Sequence, residues 1–184
     1  TLRAAEEARR AGVIVSTDLN LRPAIWDADA RAREAAHAAM DRSDIVKMNA
    51  EEAQFVFPEV AGSEKVLDEV VRQGARLAVI TNGARGGWYA TREAAERYAV
   101  VPAASCDTTG AGDAFMAALL SRVVASEWPS CLSLETLQGF FRFSSAAGAI
   151  ATEKYGAMSA MPDEKAIVSR LGLHASGGRP IGSP

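Results

Sequence analysis

Nine residues, Asp107-Thr108-Thr109-Gly110-Ala111-Gly112-Asp113-Ala114-Phe115, combine types and spacing that suit chemistry on an anion. Gly110 and Gly112 flank a single alanine, so the backbone there can bend tightly and lie close to a ligand. The next residues, Ala114 to Leu120, read as an apolar helix, which puts the glycine turn at a helix N-terminus. Unpaired N–H groups and the positive end of the helix dipole favour an anion at that place. Asp113 falls in the first turn, beside the anion. A phosphate cradle with a fixed carboxylate base is the arrangement needed to move a phosphoryl group onto a hydroxyl. A glycine loop capped by Asp113 is the plainer account of the same residues. No Gly-Lys-Ser/Thr follows, so the loop is not a Walker A motif, and no Gly-x-Gly-x-x-Gly follows the first strand, which argues against a dinucleotide dehydrogenase.

Three other polar clusters follow apolar runs. Asp18-Leu19-Asn20-Leu21-Arg22, with Trp26 beyond it, comes after Val13–Thr17, and Arg22 offers a planar, permanently charged fork for phosphate or carboxylate. Asn49-Ala50-Glu51-Glu52 follows Asp44–Met48; it reads either as a capping-box relative or as a place where Glu52 holds a hydrated cation. Thr81-Asn82-Gly83-Ala84-Arg85-Gly86-Gly87 follows Leu77–Ile80, its glycines supplying positive φ.

These elements must be positioned by a scaffold. Helices are predicted over 2–11, 28–42, 51–55, 63–74, 111–125, 134–152 and 163–171, and strands over 13–17, 44–48, 77–81, 88–91 and 98–101. Alternating strands and helices predict an α/β fold with a mostly parallel sheet and helices on both faces. In such sheets ligands bind at the C-terminal strand ends, where the polar clusters fall. The chain of 184 residues is 48% hydrophobic and 23% charged, enough for a packed core. A net charge of -3 argues against nucleic acid, and no apolar run reaches the length of a membrane span. Cys106 and Cys131, with His37 and His174, make neither a disulfide framework nor a zinc pattern, so a reducing cytoplasm is expected. The Gly/Pro/Ser-rich stretch 175–184 is expected to be disordered, leaving 1–174 as the folded part.

The nine-residue run resembles the second signature of the ribokinase-like, or PfkB-type, carbohydrate kinases. That resemblance implies a ribokinase-like (Rossmann-like) α/β fold, with Gly110, Ala111 and Gly112 as the anion hole and Asp113 as the base that takes the sugar's hydroxyl proton. The Asp18 to Trp26 segment is similar to the Asp-x-Asn-x-Arg…Trp stretch of fructokinases and 2-keto-3-deoxygluconate kinases, implying Arg22 near the sugar and the transferring phosphate. Asn49 and Glu52 match the family's Asn-x-x-Glu element, with Mg²⁺ held through water by Glu52. Thr81, Gly83 and Gly86 match its nucleotide loop, and Ser145, in the small-residue helix Phe140–Ala151, stands at the adenine wall.

Asp107, Thr109, Ala151, Lys154 and Gly156 match positions whose oxygens hold a monovalent cation in such enzymes, implying K⁺ as a further ligand, although Ala160 stands where a serine often completes that shell. ATP, Mg²⁺ and a small sugar are the implied ligands, with fructose the first expectation and 2-keto-3-deoxygluconate the second. Neither nucleic acid nor membrane is an implied partner, and the longer parent protein is expected to be a homodimer. The chain starts at Thr1 inside a helix and without methionine, so the C-terminal, nucleotide-binding portion of such a kinase is expected. The first glycine signature, most sugar-reading residues and the lid would then lie outside it. An inactive nucleotide-binding remnant is the alternative from another class.

Overall fold

The computed structural model describes residues 1–60 and 62–172; His174 and the segment 175–184 lie outside them. Helix α1 (Leu2–Arg10) is rich in Ala, Glu and Arg and buries no residue. It stops at Gly12, whose φ of +75° lets the Gly12 and Val13 amides turn back to the Arg9 and Ala8 carbonyls. That closure uses up Val13, so strand β1 (Ser16–Asp18) begins later than the predicted 13–17. Helix α2 (Asp29–Met40), strand β2 (Ile45–Asn49), helices α3 (Ala50–Val56) and α4 (Ser63–Arg72) and strand β3 (Leu77–Thr81) follow.

Past β3 the topology changes. A 3-10 turn at Gly83–Arg85 leads into β4 (Gly87–Ala90), which runs antiparallel to β3, and β5 (Ala95–Tyr98) runs antiparallel to β4. β5 precedes the predicted 98–101, and its Ala95, Glu96 and Arg97 are exposed. An apolar period is absent there because this outer strand has little to bury. The sheet order is β1-β2-β3-β4-β5, with β1, β2 and β3 mutually parallel. Helices α5 (Ala111–Val124), α6 (Leu134–Ala151) and α7 (Glu164–Arg170) follow among the described residues.

The described residues fall into two compact units: Thr1–Val100 with Trp128–Leu137, and Val101–Glu127 with those from Gln138 onward. In the first unit β2 and β3 are buried along nearly their whole length. That explains their continuous apolar runs, as expected of parallel strands covered on both faces. One sheet face packs Val46, Met48, Ala78 and Ile80 against Met40 of α2, Ala53 and Val56 of α3, and Val66, Leu67 and Val70 of α4. In the second unit Ala118 of α5 meets Phe143, Ala146 and Ala147 of α6 and Ile167 of α7. Arg122 lies 4.1 Å over the Phe143 ring and pairs with Glu164, so its charge is satisfied where its stem is packed. Asp163 caps α7 by accepting from the Ala166 amide at 2.8 Å.

Two glycines of opposite character test this packing. A Cβ at Gly87 would stand 2.2 Å from the Ile80 carbonyl oxygen and 2.5 Å from Tyr98 Oη, whereas one at Gly139, in mid-α6, meets nothing within 4 Å. Gly87→Ala is therefore expected to destabilise the fold by about 1–3 kcal/mol or more. Gly139→Ala is expected to stabilise it by about 0.5–1 kcal/mol through helix propensity. Urea unfolding of both variants checks the opposite signs.

Candidate functional site

The second unit gathers its candidate residues around the start of α5. Gly110, at φ +81°, is the N-cap residue, and no side chain caps the helix. An α-helix leaves its first N–H groups without intrahelical partners, so the turn presents backbone donors and the positive dipole end. Ala111 N–H closes the turn onto the Thr108 carbonyl at 3.2 Å. The positive φ favours glycine at 110, and a Cβ there would crowd Ala157 Cα at 3.1 Å. Asp113 sits in the first helical turn with an exposed side chain. Gly148 of α6 faces the Ala111 carbonyl, where an added Cβ would come within 3.2 Å. The small residues of α6 thus let it approach the loop closely.

Asp107 ties this loop to the turn after α6. Its carboxylate accepts from the Thr109 amide at 2.9 Å and from the Gly156 amide at 3.0 Å. The Cys106 and Asp107 amides both donate to the Thr152 carbonyl, at 2.8 and 3.1 Å. The Thr109 hydroxyl and amide, then the Gly156 amide, hold the Asp107 carboxyl below its ordinary value. Asp107, Thr109 and Gly156 are therefore brought together, with Lys154 in the same exposed turn and Ala151 buried at the helix end. Ser145 is buried and accepts from the Val101 amide at 2.9 Å, so its hydroxyl pins the 101 segment to α6.

The first unit gathers its polar residues at the C-terminal ends of parallel strands. Asp18 ends β1 opposite Lys47, and Asn49 ends β2 opposite Thr81 at the end of β3. Asn49 and Glu52 form a full capping box: Asn49 Oδ1 accepts from the Glu52 amide at 2.8 Å and Glu52 Oε2 from the Asn49 amide at 2.7 Å. The remaining Glu52 oxygen accepts from the Leu21 amide at 2.6 Å. Glu52 is buried, with both oxygens already receiving backbone protons. In the glycine loop, Gly83 and Gly86 take φ of +51° and +83°, and Asn82 N–H donates to the Gly86 carbonyl at 2.7 Å. Arg85 is exposed and donates to Asn82 Oδ1. Arg22 is exposed just before the 3-10 turn Pro23–Ile25.

Sequence reasoning passed over Lys47. It is only 5% exposed, and its Nζ lies 2.6 Å from Asp18 Oδ2. The signal was available, since a lysine interrupts the apolar run Ile45-Val46-Lys47-Met48. A buried lysine is rare without a partner.

Sheet order, parallel centre and glycine-opened α5 define a ribokinase-like α/β fold. A ribokinase structure from Thermotoga maritima aligns at TM-score 0.71 and 21% identity, a likeness of fold alone. The chain belongs to the pfkB family of carbohydrate kinases, whose profile matches residues 1–164. It is similar to Fructokinase-1 of Zea mays, at 38% identity over 175 residues covering 92% of this chain and 52% of the maize protein. It is also similar to Putative fructokinase-8 of Arabidopsis thaliana, 32% identical over 92% of this chain and 80% of that relative. A fructokinase with bound ATP from Xylella fastidiosa superposes at TM-score 0.85 and 27% identity, covering 93% of this chain and 55% of that one. The Vibrio cholerae O395 fructokinase in its fructose, ADP and calcium form superposes at 0.83 with 30% identity, covering 92% and 54%. The chain thus spans about half the length of the first curated relatives it matches. Among the described residues no helix is long and apolar enough to cross a membrane.

The Asp107 clamp has a pH signature. Its folded carboxyl is more acidic than its unfolded one, so the unfolded state binds more protons and stability rises with pH through this range. The contribution is complete above the ordinary Asp value, about pH 4, and fades as pH falls through the folded value. Asp107→Asn is expected to melt lower than the parent chain at pH 7, with the difference shrinking below about pH 4. Paired thermal melts from pH 2 to 7 check it.

Proposed function

We propose that this chain is the nucleotide-binding, phosphoryl-transferring portion of an ATP-dependent sugar kinase of fructokinase type, with residues 1–174 forming that portion. The carrying observation is the Gly110 turn: a positive-φ glycine, uncapped by any side chain, opening an apolar helix with exposed Asp113 in its first turn. Such an end accepts an anion and has a carboxylate at hand. Family membership and the fructokinase relatives support the reading.

In this reading Asp113 takes the proton from a sugar hydroxyl as its oxygen bonds to the γ-phosphorus of ATP and the bond to the ADP oxygen breaks. The Gly110–Gly112 backbone stabilises the charge on the transferring group, as preorganised N–H donors do. Arg22 is a further positive group for phosphate, and Asn49, Thr81, Gly83 and Gly86 are assigned to the nucleotide. Ser145 is assigned to the adenine wall, its hydroxyl accepting from the Val101 amide and keeping its own proton to donate.

The donor set fits a metal carried in by the nucleotide. No group of three or more His, Cys, Asp or Glu capable of holding an ion occurs among the described residues, and Mg²⁺ keeps waters and binds substrate phosphates rather than needing a protein cage. Bound in that way, Mg²⁺ would neutralise phosphate charge, with Glu52 reaching it only through water on lone pairs not used by the Leu21 and Asn49 amides. For K⁺, the carboxylate of Asp107 and the carbonyls near Ala151, Lys154 and Gly156 are the oxygens proposed.

Two measurements test the proposal. Calorimetric titration of the chain with Mg-ATP is expected to show binding. Replacing the matched half of the maize relative with this chain is expected to give a protein that phosphorylates fructose, and Asp113→Asn in it should cut turnover roughly a hundred- to ten-thousand-fold with ATP affinity little changed. Near-normal turnover in that variant would remove Asp113 from the mechanism. ATP binding with no turnover on fructose or 2-keto-3-deoxygluconate would favour the non-catalytic nucleotide-binding reading.

A further inference from the structure

The segment that carries Arg22 is fastened to one corner of the first unit, the junction of β2 and α3. Lys47 Nζ holds Asp18 Oδ2 at 2.6 Å. The Lys47 carbonyl accepts from the Leu19 amide at 2.9 Å. Glu52 Oε1 accepts from the Leu21 amide at 2.6 Å. Between these anchors Asn20 adopts φ +40°, a left-handed conformation that asparagine takes more readily than most non-glycine residues. Immediately after them, Ile25 N–H donates to the Arg22 carbonyl at 3.1 Å and starts the Pro23–Ile25 turn. Arg22 is thus held on both sides through backbone bonds while its own side chain is exposed.

Helix capping does not account for this arrangement. A capping box needs one carboxylate oxygen, turned back to the N-cap amide. Glu52 gives Oε2 to Asn49 for that purpose and sends Oε1 out of its own helix to Leu21. Lys47 likewise contributes nothing to a cap. It is a buried charge whose partner lies on the neighbouring strand, directly opposite in register. Burying these charges is costly unless they are paired and hydrogen-bonded, and each one lands on residues 18 to 21.

We propose that Glu52 and Lys47 are positioning residues for Arg22: the β2–α3 corner clamps residues 18–21 and thereby fixes where the Arg22 guanidinium stands. Arg22's work on phosphate rests on the kinase reading above; the clamp does not. The same corner holds Asn49, opposite Thr81. It therefore sets the relation between the arginine and the β3 glycine loop within one unit.

The test uses the full chain and two substitutions. Glu52→Gln keeps one acceptor oxygen, which can serve the cap or Leu21 but not both. Lys47→Met with Asp18→Asn replaces the charged pair by a neutral one of similar size. Amide exchange and ¹⁵N relaxation by NMR are the first readout. In Glu52→Gln the Leu21 amide should exchange at least tenfold faster and Arg22 should gain backbone mobility, while the α3 amides of Ala53 and Val56 stay as in the parent. The Lys47→Met/Asp18→Asn chain should likewise mobilise Arg22. An unchanged Arg22 in both chains overturns the proposal whether or not ATP binds.

Mg-ATP titration is the second readout. If Glu52 acts through Arg22, Arg22→Ala with Glu52→Gln should lose less affinity than the two single penalties add up to, any remainder being the share Glu52 contributes through the hydrated metal. Penalties that add in full would overturn the proposal. A parent chain that binds no ATP would sink the kinase reading and leave the NMR arm to decide the clamp.

Discussion

The register between β2 and β3 is the constraint on which the first unit depends. Ile45 lies opposite Leu77, Met48 opposite Ile80 and Asn49 opposite Thr81. The alternation of faces means that a slip of one residue would turn Val46, Met48, Ala78 and Ile80 away from α2, α3 and α4. The fully buried Met48 and Ile80 make such a slip expensive. Because the apolar pairs fix the register, the polar residues at the strand ends have no freedom to drift. Asn49, Thr81 and the capped start of α3 stand where hydrophobic packing places them.

The second unit solves a related problem with no strand among its described residues. Its critical element is a turn that must be left-handed at Gly110 and must keep the first amides of α5 free of side-chain caps. Such a turn has little hydrophobic content of its own. Its shape is imposed from outside by Asp107 bonding across to Gly156, by Thr152 accepting two amides, and by Gly148 letting α6 come close to Ala111. A turn that leaves helix-start amides without side-chain caps has few bonds of its own to hold it, so its neighbours must do the ordering.

This division explains what could be read from the sequence. β2, β3, α4, α5 and α6 were legible because each carries a continuous or periodic apolar pattern that burial demands. Gly110 was legible as a helix entry because glycine is the residue for that φ. β1 and β5 were misplaced by about three residues because edge strands bury little and their limits are set by hydrogen bonds. Val13 looks β-forming but is spent closing α1. The functional types were visible, but their bonding was not. Ser145 shows a polar residue in a small-residue helix, with nothing local to say that its hydroxyl holds Val101. Glu52 reads equally as a cap and as a cation holder, and its bond to Leu21 joins residues 31 apart in the chain. Long-range polar partnerships leave no periodic trace.

Turns shaped largely by backbone also bear on how far the sequence can diverge. The Gly110 turn needs a glycine and a helix start. The β3 loop needs glycines at two positive-φ positions, Gly83 and Gly86. Neither requires a cage of side chains, and none of the kind that holds a metal occurs among the described residues. Most positions are then free to change provided the core keeps its volume and the strands keep their register. The Xylella fastidiosa fructokinase shares only 27% of aligned residues with this chain, yet superposes at TM-score 0.85. Backbone donors are kept by keeping the fold, and the side chains that bond across to hold that backbone are Lys47 and Glu52 in the first unit and Asp107 in the second.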